Sequence, residues 1–183
     1  MTVLASSVLA GHDEDVTVGR SSAGVLIGEA DSVSLFPLDP IPPGNPFGFQ
    51  GFSRADPGFK ALDLDEPAAD FFTLQAGADI RVRVDGLDPA LKMLDGASFA
   101  PIPVGGTFAL GGPGFDTHPV WFIDTADPAY DPYRAAFTVT MHLEDTGTTA
   151  YAPSSSFSLN LIPEPSSGLL AIVALLARRR IPR

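Results

Sequence analysis

The sequence predicts an all-β body, an antiparallel β-sandwich or jelly roll, and three observations carry that expectation. Short apolar runs alternate with polar residues at the two-residue period of a strand. Turn-forming residues interrupt these runs throughout, with 18 glycines and 18 prolines among 183 residues. No helical periodicity of any length precedes residue 163. With 45% hydrophobic residues, the chain is apolar enough to bury a core as one domain.

Residues 1–10, MTVLASSVLA, read as the end of a truncated secretory signal peptide. Val8 and Ala10 are small enough for the −3 and −1 positions of a cleavage site, and the polar GHDED follows at once. A basic n-region and a full apolar h-region are missing. Either the true start codon lies upstream or these residues form a first strand. The upstream start is preferred because it suits the far end of the chain.

Residues 11–162 are read as the β domain, with eight or nine strands. Residues 15–19 (DVTVG), 25–29 (VLIGE) and 32–38 (SVSLFPL) supply the first short strands. Next comes 39–59, DPIPPGNPFGFQGFSRADPGF, whose prolines argue against a central strand. Phe47, Phe49, Phe52 and Phe59 are too many for a free linker, so a long loop pinned over the core is expected. An aromatic platform for polysaccharide is the functional alternative, weakened because phenylalanine stacks on sugars less well than tryptophan or tyrosine.

Residues 70–75 (DFFTLQ) are read as a strand that turns at Ala76-Gly77-Ala78 into 79–85 (DIRVRVD), with Ile80, Val82 and Val84 on one face. Residues 106–111 (GTFALG) and 120–124 (VWFID) follow. The clearest strand is 136–145 (AFTVTMHLED): Phe137, Val139, Met141 and Leu143 point one way, and Thr138, Thr140, His142 and Glu144 the other. Its expected partner is 156–162 (SFSLNLI). The recurring Asp56-Pro57, Asp88-Pro89 and Asp127-Pro128 pairs are turn starters: aspartate accepts a local backbone hydrogen bond and proline fixes φ.

Residues 163–183 break this pattern. Pro163-Glu164-Pro165 is followed by twelve uncharged residues, 166–177, and then by Arg178, Arg179, Arg180 and Arg183. As a helix, the apolar stretch would run about 18 Å, short of the ~30 Å hydrocarbon core of a bilayer. Arginine side chains can snorkel to the headgroups and hold that end in the cytoplasm. The two prolines predict an extended, accessible hinge ahead of a C-terminal transmembrane helix.

This order of motif, apolar segment and arginine cluster resembles the PEP-CTERM sorting signal of Gram-negative bacteria. The resemblance covers only about the last twenty residues. It implies recognition by an exosortase, cleavage at Pro163-Glu164-Pro165, membrane insertion before processing, and a place at the cell surface or in a biofilm matrix with exopolysaccharide. It implies nothing about the role of the body.

Charge and composition exclude other classes. Ahead of residue 163 stand seven basic and 21 acidic residues, a net charge of −14. Such a body repels nucleic acid, which binds through phosphate-neutralising Lys and Arg. The absence of cysteine excludes disulfides and thiolate chemistry. No Gly-x-Ser-x-Gly, phosphate loop, His-Glu-x-x-His or dinucleotide fingerprint occurs. A pair of catalytic carboxylates remains open in so acidic a chain, but nothing points to an enzyme.

Metal ligands are the better candidates. The three histidines each stand near carboxylates: His12 beside Asp13, Glu14 and Asp15, His118 between Asp116 and Asp124, and His142 near Glu144 and Asp145. Zinc or copper needs three or four N/O ligands, which strands can bring together from distant positions. His12, Asp13, Asp116 and His118 are the expected ligands, whereas His142 reads as a solvated histidine on the outward face of its strand. Calcium is the second option, through Asp124, Asp127 and Asp131 in one turn-rich loop. The expected protein is therefore an exported surface or matrix protein with a non-catalytic structural or binding role. A secreted zinc- or calcium-binding protein is the alternative, and a carbohydrate-binding or carbohydrate-acting protein comes third.

Overall fold

The computed structural model describes residues 15–30, 35–45 and 48–164, and over these the chain is mostly β. The strands are β1 (Val16–Arg20), β2 (Leu26–Glu29), β3 (Leu35–Pro40), β4 (Gly51–Arg54), β5 (Phe59–Ala61), β6 (Ile80–Leu87), β7 (Leu91–Leu94), β8 (Pro101–Ile102), β9 (Thr107–Gly111), β10 (Asp116–Thr117), β11 (Val120–Asp124), β12 (Phe137–Asp145) and β13 (Phe157–Pro163). The described helix is a single 3-10 turn, Pro67–Ala69. A small sheet has the order β10-β5-β1-β2, and a nine-stranded sheet the order β8-β7-β11-β4-β3-β13-β12-β6-β9.

Alternation decides which faces meet. Phe137, Val139, Met141 and Leu143 of β12 are all buried, as are Ile80, Val82 and Val84 of β6. The β12–β13 pairing sets Phe137 opposite Leu161 and Val139 opposite Leu159, so both apolar rows share one face. On the other face Thr138 donates to Asn160 at 3.0 Å, and the Thr140 and Ser158 hydroxyls stand 2.9 Å apart. The large sheet curls over: β7 touches β12, although β11, β4, β3 and β13 separate them in the sheet. The small sheet covers the same core, with Gly28 of β2 lying against Leu143 and Phe157. No polar or charged residue among the described ones is buried. Titratable chemistry therefore sits at the rim, where water can compensate it.

Several expectations need correction. The sheets are not purely antiparallel: β1 runs parallel to β5 and β3 parallel to β13. Long connections carry the chain across the body before each partner arrives, which a parallel pair requires. Segment 39–59 is not one loop. It contains the end of β3 and all of β4, which sits inside the large sheet between β3 and β11. The four residues of β4 include no proline, so each keeps its own backbone donor, and the proline in the pairing, Pro40 opposite Phe52, belongs to the end of β3.

The anchoring role of the phenylalanines holds where they are described. Phe59 is fully buried, Phe52 packs on the core, and Phe49 stacks on Phe122 at 4.9 Å. Phe47 lies outside the described residues. Residues 70–75 form no strand; Asp70 takes a left-handed φ of 54°, and only the bridges Phe71–Glu66 and Phe72–Arg20 follow. Residues 1–10 and the transmembrane helix expected over 166–177 also fall outside the described residues. Among the described ones, no helix is long and apolar enough to cross a membrane.

Candidate metal centre

Two crossovers between the sheets run side by side, and both carry acidic or imidazole groups. After β4 of the large sheet, residues 55–58 lead into β5 of the small sheet. After β10 of the small sheet, His118 and Pro119 lead into β11 of the large one. Their flanks are paired: Trp121 faces Arg54, and Thr117 faces Phe59. Asp15 precedes β1, whose first residue Val16 donates to the Gly58 carbonyl at 2.9 Å. Asp15, Asp56 and His118 therefore meet at one edge of the molecule although they lie far apart in the chain.

The geometry is tight. One Asp56 Oδ1 lies 3.2 Å from His118 Nδ1, and Asp15 Oδ1 lies 3.9 Å from the same nitrogen. The other ring nitrogen, Nε2, is 2.9 Å from Asp116 Oδ1. The ligand atoms of Asp15, Asp56 and His118 lie within 4.8 Å of one another, so the three could hold a metal ion. The His118 side chain is about a third exposed (34%), which gives an ion access from solvent.

Each group is held from behind. The Gly58 N–H donates to Asp15 Oδ1 at 2.7 Å, and Arg54 Nε donates to Asp56 Oδ2 at 3.2 Å, leaving Oδ1 toward the histidine. The buried Trp121 indole donates to the Pro57 carbonyl at 2.8 Å and ties down the 55–58 crossover. Gly58 is needed for space, because a Cβ there would fall on the His118 ring. A Cβ at Gly96 would press on the His118 carbonyl at 2.6 Å. Burial disfavours the charged form of His118. The hydrogen bond to Asp116, the charges of Asp15 and Asp116 and a bond to the Ala55 backbone outweigh it, so the pKa rises above the ordinary histidine value.

The other candidate ligands are placed differently. Asp124 and Asp127 do converge, but on Lys92, whose Nζ lies 3.1 and 3.4 Å from them. Their remaining oxygens accept from the Ala126 and Ala129 N–H groups, and Asp131 accepts from Tyr133 N–H. The lysine ammonium thus stands between the two carboxylates that the calcium reading gave to a cation. His12 and Asp13 lie outside the described residues, as do Pro165, Arg178, Arg179, Arg180 and Arg183. Pro163 ends β13 opposite Leu38, and Glu164 N–H donates to the Leu38 carbonyl at 3.1 Å.

His142 is more constrained than a solvated histidine. Its Nδ1 lies 2.8 Å from both Asp85 oxygens, and its Nε2 lies 3.2 Å from Glu144. Ser156 also donates to Asp85 at 3.0 Å. Burial opposes the charged imidazole, yet the bonds to Asp85 and Glu144 raise its pKa.

The local spacing in Asp116-Thr117-His118 was readable in the sequence, whereas Asp56 looked only like a turn starter. Asp15 stood beside His12 in an acidic run, and nothing local tied either aspartate to His118. Compared with protein-family models, with characterised proteins and with solved structures, the chain matches none.

Proposed function

We propose that this is an exported bacterial β-sandwich protein, sorted by an exosortase to the cell surface or extracellular matrix, where it has a structural or binding role. The observation that carries the reading is the order of the last twenty-one residues: Pro163-Glu164-Pro165, an uncharged segment, and an arginine cluster. The fold supports it at one point. The last strand of the large sheet ends on Pro163, and the last described backbone bond is that of Glu164. A cut after Glu164 would therefore leave every described strand in place. A surface rich in carboxylates over a core that is apolar throughout the described residues suits a protein that must stay soluble outside the cell.

The test is to express the full chain behind a secretory signal, with and without a co-expressed exosortase. With the enzyme, the chain should lose mass corresponding to the tail and leave the membrane fraction, and Glu164→Ala should block both changes. The same mass and membrane fraction in both strains would overturn the reading.

A further inference from the structure

We propose that Asp15, Asp56 and His118 bind one divalent transition ion, zinc in preference to calcium, with Asp116 as the outer carboxylate that orients the histidine. The inference is independent of how the chain is sorted.

Distances carry it first. Zinc bonds N and O ligands at roughly 2.0–2.1 Å in a tetrahedron, which puts neighbouring ligand atoms about 3.3 Å apart. Asp56 Oδ1 and Asp15 Oδ1 stand 3.2 and 3.9 Å from His118 Nδ1, close to two edges of that tetrahedron. Small side-chain rotations would bring all three onto one ion, leaving the fourth position, on the solvent side, for water.

The second element is the far side of the ring. A metal-bound histidine typically gives its other N–H to a carboxylate, which fixes the tautomer and raises the basicity of the ligand nitrogen. Asp116 Oδ1 stands 2.9 Å from Nε2 in that role. With an ion on Nδ1 the proton belongs on Nε2, and Asp15 and Asp56 stand beside the metal-binding nitrogen.

The third is preorganisation. Asp15 is held by Gly58 N–H, Asp56 by Arg54, and the crossover between them by Trp121, while Gly58 leaves the space the ring fills. Little further ordering is required on binding. An imidazole ligand with two carboxylates also selects among ions. Calcium and magnesium take oxygen ligands, and calcium wants six to eight of them, more than this edge offers.

The full-length chain, stripped with EDTA and dialysed, should be titrated calorimetrically with zinc chloride and separately with calcium chloride. One zinc per chain is expected, with calcium binding at least a hundredfold weaker. His118→Asn and Asp56→Asn should each weaken zinc at least a hundredfold, and Asp116→Asn about 10–100-fold. The near-ultraviolet signal of Trp121 reports whether each variant is folded. Cobalt(II) provides a second readout on the wild-type chain: intense visible bands of a tetrahedral site are expected. Absence of stoichiometric zinc, affinity undiminished in folded His118→Asn, or only the weak bands of octahedral cobalt would each overturn the proposal.

Discussion

His118 stands between two carboxylates supplied by separate segments of the chain: Asp116 Oδ1 is 2.9 Å from its Nε2, and Asp56 Oδ1 is 3.2 Å from its Nδ1. One aspartate comes from β10, just before the turn, and the other from the crossover between β4 and β5. The ring therefore reports on both crossovers at once, and its seat depends on residues that carry no charge.

Gly58 is the first of these. A Cβ at this position would meet the His118 ring, so Gly58→Ala should push the imidazole away from Asp56. Overpacking of this kind costs about 1–3 kcal/mol. Urea denaturation should show that loss, and zinc affinity should fall with it. An unchanged midpoint would mean that the ring moves aside freely.

Trp121 makes the second prediction. Trp121→Phe keeps an aromatic ring in the core but leaves the Pro57 carbonyl without its indole donor at 2.8 Å. An unsatisfied buried polar group costs about 1–3 kcal/mol. Denaturant unfolding should therefore show a shift in that range, with hydrogen exchange faster at Gly58 than in β12.

Lys92 holds Asp124 and Asp127 together, and its own pKa is raised: burial opposes the charge, and the bonds to the two aspartates outweigh it. Partly exposed ion pairs contribute at most about 1 kcal/mol each. Lys92→Met should destabilise by about 1 kcal/mol, and adding Asp127→Asn should return part of it. A double-mutant cycle on these two residues measures the coupling, and strict additivity would show that they act independently.

His142 predicts a pH dependence. Its folded pKa is raised, so its pairing with Asp85 and Glu144 stabilises the fold fully below the ordinary histidine pKa. That contribution is lost as the pH rises through the folded value. The stability gap between wild type and His142→Gln should be widest below about pH 6.5 and close at alkaline pH. In Asp85→Asn, nitrogen-detected NMR should find the His142 titration moved down. A gap that widens with rising pH would reverse the assignment.

How much of this was legible in the sequence follows from range. The alternation Phe137, Val139, Met141, Leu143 is local, and the strand it predicts is there with all four side chains buried. Strand β4 was hidden among the prolines of 39–59 because what makes it a strand is its neighbours β3 and β11, not its own four residues. The parallel pairings of β1 with β5 and of β3 with β13 join segments separated by long connections, and no local period records them.

The site divides in the same way. Asp116 and His118 are two residues apart, on a strand end and its turn, and were visible as a pair. Asp56 reaches the histidine through a sheet crossover and Asp15 from the start of β1 beside it, a relationship that only the assembled sheets create. Asp124 and Asp127 share one turn-rich loop with Asp131, but Lys92 arrives opposite the first two from the neighbouring strand β7. Composition cannot reveal such a partner.

The most direct test of the central claim is imidazole nitrogen NMR of the full-length chain, before and after one equivalent of zinc. The predicted result is a shift at His118 Nδ1 on metal binding, while Nε2 keeps its proton and donates it to Asp116, with His142 unmoved. A shift at His118 Nε2 instead, or no change at His118 at all, would contradict it.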